Sequence, residues 1–325
     1  MRKLCILLAL MLFVLPFAGC GDNSATTGSS YDVTTTENPK DDISPEPEKK
    51  ISTVEEMAEL EGVERVVKNE EYSVKGSLVY DITFNFDGVI IEAQMALPED
   101  YGTKNCATVL YFPDVKLLYQ YLTEVYAENG IIIIRFGYRT NSDAKQKRDY
   151  CGEDYNDVKS FFEICKKCDF LTRGGITAIG SSEGALRALK LAVDYPDDIM
   201  GCAVIDVTGD IESLIEFRGE GIKELFEYFI GGSVSEKPEE YKKRSPVYFA
   251  DKISVPVLIF AYNNSPLIPL EQATMLKDAI LDGGGSCEFN VIYSLSSDFM
   301  TEDSFVRILE WVAELQKSNG YASLQ

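Results

Sequence analysis

The chain has 325 residues, 45% of them hydrophobic and 11% aromatic, which is enough apolar material for a sizeable core and excludes wholesale disorder. Its 31 Lys and Arg face 53 Asp and Glu, a formal charge of −22 that argues against a nucleic-acid partner, because phosphate binding needs clustered cations. It has no histidine at all, which excludes the commonest metal ligand, the commonest general base and every histidine-dependent triad.

Arg2 and Lys3 precede an apolar run from Leu4 to Pro16, and Phe17-Ala18-Gly19-Cys20 follows. A short apolar run ending in small residues predicts a secretory signal over 1–19, too short to span a bilayer. Ala18-Gly19-Cys20 resembles a bacterial lipobox, which implies that Cys20 is lipidated and anchors the chain to the extracytoplasmic face of the cell membrane. Residues 20–50 are rich in Ser, Thr, Pro and acid and poor in large apolar side chains, which predicts a lipidated cysteine followed by a disordered tether. The remainder, 51–325, is expected to fold as one domain.

In that remainder, Thr53-Val54-Glu55-Glu56 reads as a capping box opening a short helix. Residues 72–97 read as two extended runs around the hairpin signal Phe86-Asp87-Gly88. After Pro98 the pattern changes to buried strands at 106–112, 130–135, 175–179, 201–205, 255–260 and 287–293. Helical stretches at 116–128, 154–168, 183–195, 269–282 and 302–317 alternate with them, and 210–250 is a polar, helix-rich cap insertion. An antiparallel start followed by strand–helix units predicts an α/β fold whose mostly parallel central sheet is flanked by helices.

Cys165-Lys166-Lys167-Cys168 is a CxxC, but no second pair accompanies it and it falls late in a helix, so these cysteines are expected to be structural. Cys106 and Cys202 lie in strand-like runs and are expected in the core. The cap aromatics Phe217, Phe226, Tyr228 and Phe229 are also read as core, and Glu236–Arg244 as a solvated segment. No cofactor and no metal are expected.

Gly180-Ser181-Ser182-Glu183-Gly184 sits where a strand should turn into a helix. There the glycines Gly180 and Gly184 permit tight packing, Ser182 stands at the nucleophile position, and the N–H of Glu183 points at the space above it as an oxyanion donor.

With this segment the chain resembles the α/β-hydrolase superfamily, in its prolyl-oligopeptidase and dienelactone-hydrolase branch. The resemblance also rests on Phe86-Asp87-Gly88 with Ala96-Leu97-Pro98, on Arg244-Ser245-Pro246 through Asp251 to Pro256, and on Pro266-Leu267-Ile268-Pro269. It implies an α/β-hydrolase fold over about residues 70–318 and a Ser–His–acid triad. Carried over residue by residue, the acid place is Ser265 and the base place is Ser297 or Asp298, while the His-Gly that feeds the oxyanion hole is Pro113-Asp114. Asp206, at the end of the next strand, is a further candidate acid. Pro113 has no N–H to donate, and a carboxylate such as Asp298, with an ordinary pKa of about 4, is a poor base for a serine hydroxyl.

Three readings stay open. The first is a degenerate, nearly inactive hydrolase-fold lipoprotein that binds a small ligand or protein partner in the old cleft. The second is an active esterase or peptidase using Ser182 with a base other than histidine. The third is a scaffold within an envelope complex.

Overall fold

In the computed structural model, residues 50–113, 125–139, 147–293 and 302–321 are described. They belong to one compact unit, Lys49–Gln325. The signal and tether assignments, Cys20, Asp114, Ser297, Asp298 and most of the 116–128 stretch lie outside them.

The domain opens with the reciprocal cap read from the sequence. The Glu56 amide donates to the Thr53 hydroxyl at 3.3 Å, and the Glu56 carboxylate accepts from the Thr53 amide at 3.2 Å. The element it caps is a 3₁₀ turn, Glu55–Glu59, rather than an α-helix. Strands β1 (Val63–Lys68), β2 (Ser77–Phe86) and β3 (Val89–Pro98) then run antiparallel. Between β2 and β3, Asp87 and Gly88 both take positive φ, 53° and 87°, the backbone a two-residue hairpin needs to match strand twist.

From there the strands are β4 (Ala107–Phe112), β5 (Ile131–Phe136), β6 (Ile176–Ser181), β7 (Ile199–Ile205), β8 (Val257–Tyr262) and β9 (Cys287–Ile292). They pair parallel to one another, and β5 joins them to the antiparallel part through β3. Among the described residues this is one nine-stranded sheet in the order β1-β2-β3-β5-β4-β6-β7-β8-β9. Strand β1 was not foreseen.

The helices are α1 (Tyr155–Lys167), the single turn α2 (Asp169–Thr172), α3 (Glu183–Asp194), α4 (Ile211–Arg218), α5 (Glu220–Ile230), α6 (Pro238–Lys242), α7 (Leu270–Asp282) and α8 (Glu302–Ser318). Strand alternation divides the core between the two faces of the sheet. Ile132, Ile134 and Phe136 of β5 pack with Phe161 of α1, Leu189 of α3 and Leu276 of α7. Ile131 and Ile133 of the same strand share the other face with Tyr126 and with Phe305, Trp311 and Leu315 of α8. The α/β architecture with helices on both faces is therefore present.

Cys106 and Cys202 are fully buried strand residues. Cys165 and Cys168 are free buried thiols at the end of α1, and burial pushes the Cys168 thiol up to about 12, away from redox-active thiolate chemistry. Two surface expectations are corrected. Phe217 and Tyr228 are 65% and 63% exposed rather than core, because α4 and α5 turn their Leu214, Phe226 and Ile230 inward instead. In the Glu236–Arg244 segment, Tyr241 and Arg244 are buried, since the Tyr241 hydroxyl donates to the Gly232 carbonyl and Arg244 is drawn to Glu240 and Asp149. No helix of the described residues is long and apolar enough to cross a membrane.

Candidate functional site

The parallel strands deliver the candidate residues to one edge, the carboxyl ends of β6, β7 and β8. Ser181 is in register with Ile205, so Ser182 and Asp206, each the next residue, leave neighbouring strands at the same level. Both take positive φ, 53° and 52°, a region that costs a residue with a Cβ about 1–3 kcal/mol. Ser182 is half-buried with ψ −119°, and its amide donates to the Ile205 carbonyl at 3.0 Å; the Asp206 amide donates to the Phe260 carbonyl at 3.0 Å.

The turn is sharp because two glycines let backbones touch. A methyl group at Gly184 would collide with the carbonyl of Phe112 at the end of β4, and one at Gly180 would collide with the carbonyl of Gly184. Helix α3 begins at Glu183, so the Glu183 N–H belongs to the first helical turn, where amides have no partner within the helix and carry partial positive charge.

Ser265 follows β8 and reaches the same edge. Its hydroxyl donates to the Asp206 carboxylate at 3.2 Å and accepts from the Ile268 amide at 3.1 Å. The acid place and the further candidate acid are thus hydrogen-bonded to each other beside Ser182. Pro113, following β4, is buried, and neither Ser297 nor Asp298 is among the described residues.

The side chain of Glu183 has a part that the sequence did not reveal. It is buried, and two arginines converge on it: Arg148 Nε donates to it at 3.0 Å, and Arg187, one helical turn further along α3, donates at 3.3 Å. The two guanidinium carbons stand 4.1 and 4.0 Å from the centroid of the Tyr138 ring. Tyr138 thus makes a cation–π contact with each arginine. Its hydroxyl is buried with no hydrogen-bond partner among the described residues, and burial raises it well above the ordinary tyrosine value.

Arg187 also donates to Asp154 at 3.0 Å. Asp154 accepts from the Cys151 amide at 2.9 Å, while Asp149 accepts from the amides of Gly152 at 2.9 Å and Glu153 at 2.7 Å. Burial pushes Asp154 up to about 6 against the pull of Arg187, and the neighbouring carboxylates of Glu183 and Asp149 push the same way. Asp149 stays below the usual range despite its own burial, because its hydrogen bonds favour the charged form. Nearby, Arg139 holds Asp157 of α1 through Nε at 2.5 Å and a second nitrogen at 2.8 Å. One signal for this network was available in the sequence: Glu183 and Arg187 are four apart on a helix, the spacing at which opposite charges meet. Among the described residues no group of His, Cys, Asp and Glu could hold a metal ion.

A mostly parallel sheet with helices on both faces, and a strained serine at a glycine-lined strand-to-helix turn on its carboxyl edge, define the α/β-hydrolase class. Within it the chain belongs to the BD-FAE family, whose model matches residues 118–280. It is 23% identical over 155 residues to the uncharacterized peptidase YtmA of Bacillus subtilis (strain 168), a match that takes in 48% of this chain and 60% of that relative's length. Acetyl xylan esterase 1 from Thermoanaerobacterium sp. JW/SL YS485 superposes with a TM-score of 0.62 at 13% identity, over 81% of this chain and 90% of that one. The acylaminoacyl peptidase of Pyrococcus horikoshii superposes with a TM-score of 0.59 at 16% identity, over 76% of this chain and 42% of that one. At these identities the structural likeness concerns the fold.

Proposed function

We propose that the protein is a cell-envelope lipoprotein in which an α/β-hydrolase scaffold binds a ligand without turning it over. The observation that carries this reading is the absence of histidine from the whole chain. A serine hydroxyl needs a base to become a nucleophile, and removing the base leaves only the residual advantage of the oxyanion donors and of binding, roughly 10³–10⁴ over water. Two further features support it. Ser265, in the acid place, is committed to Asp206, and Pro113 offers no amide to a developing oxyanion. The relatives are by name peptidases and acetyl xylan esterases, so the ligand of the cleft would carry an acyl group, as a peptide or an ester. The Glu183 amide and the Ser182 hydroxyl are the groups that would meet its carbonyl oxygen, and lipidated Cys20 would hold the domain at the extracytoplasmic face.

Full-length protein is expected to give no Ser182-dependent turnover of nitrophenyl esters or peptide anilides across a pH series. A loss of measured turnover on Ser182→Ala would overturn the reading. One observation favours a second reading, an active hydrolase with an unorthodox base: Ser182 keeps its strained φ of 53°. A fluorophosphonate probe that labels Ser182 in the wild type, and not in Ser182→Ala, would establish it.

A further inference from the structure

Helices α4 and α5 form a hairpin that rises after the carboxyl end of β7, joined by the single residue Gly219 at φ 78°. A surface helix is ordinarily apolar towards the core and polar towards water. Here Leu214, Phe226 and Ile230 turn inward, yet exposed positions also carry apolar groups: Phe217 at 65% exposure, Leu225 at 45% and Tyr228 at 63%, the Tyr228 ring carrying the Lys147 ammonium 3.6 Å from its centroid. Leu225 and Tyr228 are three apart on α5 and so lie along one stripe. Exposed glutamates accompany them. Glu216 precedes Phe217, and Glu220 and Glu224 form the row beside the stripe. Lys223 is taken up by Glu220 at 2.7 Å, while Glu216 and Glu224 enter no ion pair among the described residues.

We infer that this outer face of the hairpin docks a basic amphipathic segment of another polypeptide, whose apolar side covers Phe217, Leu225 and Tyr228 while its Lys or Arg side chains meet Glu216 and Glu224. Aromatic anchors inside a charged rim are the arrangement that concentrates binding energy, and the −22 charge of the chain steers a cationic partner towards it. An anionic membrane is the poorer occupant on the same electrostatic ground.

The test uses the immobilised full-length chain and three probes: a Lys/Leu amphipathic helical peptide, its Glu/Leu counterpart, and phosphatidylglycerol vesicles. The Lys/Leu peptide is expected to bind, and the other two are not. Phe217→Ser with Tyr228→Ser, and separately Glu216→Lys with Glu224→Lys, should each weaken binding about tenfold or more, as loss of an interface anchor does. These side chains are exposed, so unchanged thermal melting of both variants separates lost docking from lost folding. No binding of the Lys/Leu peptide, equal binding of the Glu/Leu peptide, vesicle capture through the same residues, or affinity kept within about twofold in the Phe217/Tyr228 variant would overturn the inference. Ser182→Ala should leave the affinity unchanged, so failure here is distinct from failure of the non-catalytic reading.

Discussion

Tyr138 has the guanidinium groups of Arg148 and Arg187 against its ring and a buried hydroxyl with no partner among the described residues, so its ring and its oxygen make opposite contributions. The ring gains from both cations, while the oxygen has given up water for nothing. Tyr138→Phe keeps the ring and removes the orphaned group, so urea denaturation should show stability unchanged or raised by up to about 1 kcal/mol. Glu183→Gln is the contrasting case. It removes the charge that two arginines share, leaves Arg187 uncompensated on one side, and should cost about 3 kcal/mol in the same measurement. A clear loss in Tyr138→Phe would mean that its hydroxyl has a partner. The sequence pointed to Ser182 through a short motif, to Asp206 through a strand end, and to Ser265 through the family resemblance. It did not disclose Arg148, Tyr138 or Asp154, whose contacts with α3 span tens of residues, and a lone charge in a sequence reads by default as solvated.

The strand-to-helix turn at β6 and α3 depends on close backbone approach, and its weakest point is Gly184, packed on the carbonyl of Phe112. Gly184→Ala puts a methyl group against backbone that cannot move without shifting β4, so about 1–3 kcal/mol should be lost, read as a lower urea midpoint. Circular dichroism should remain native in shape, because the sheet itself is untouched. Elements of this kind were legible in advance: the parallel strands are continuous apolar runs, and the hairpin signal at Asp87-Gly88 names its own turn type. Strand β1 was not, since Val63–Lys68 carries Glu64, Arg65 and Lys68 and buries little beyond Val63. Charge on an edge strand guards against pairing with another chain, and it erases the alternation by which a strand is recognised. The cap misled for a related reason. Its aromatics look like core material by type, and only the packing of α4 and α5 shows that Phe226 turns inward while Phe217 and Tyr228 do not.

Over the whole molecule, acid residues outnumber basic ones, so stability must respond to pH through many carboxyls. Asp154 is the distinctive term. It is fully buried, faces Arg187, Glu183 and Asp149 as well as the thiol of Cys151, and is pushed up to about 6. An unfolded aspartate titrates near 3.9. Below about pH 4 the group is protonated in both states and contributes no slope. Between about 4 and 6 the unfolded chain has released the proton that the native protein still holds, so the stability owed to this group falls as pH rises through that window. The roughly two units between the two values set an upper limit of about 3 kcal/mol. Asp149 behaves in the opposite sense and elsewhere: its carboxyl is held low, so its contribution is present above the unfolded value and is lost only in stronger acid. The experiment is therefore a difference. Urea denaturation of wild type and Asp154→Asn across pH 4 to 7 should show the advantage of the wild type shrinking as pH rises and levelling off above about 6.5, where Asp154 is ionised in both states. A constant difference across the series would place the Asp154 proton elsewhere in the network, and a growing one would mean that Arg187 outweighs burial and holds the carboxyl low.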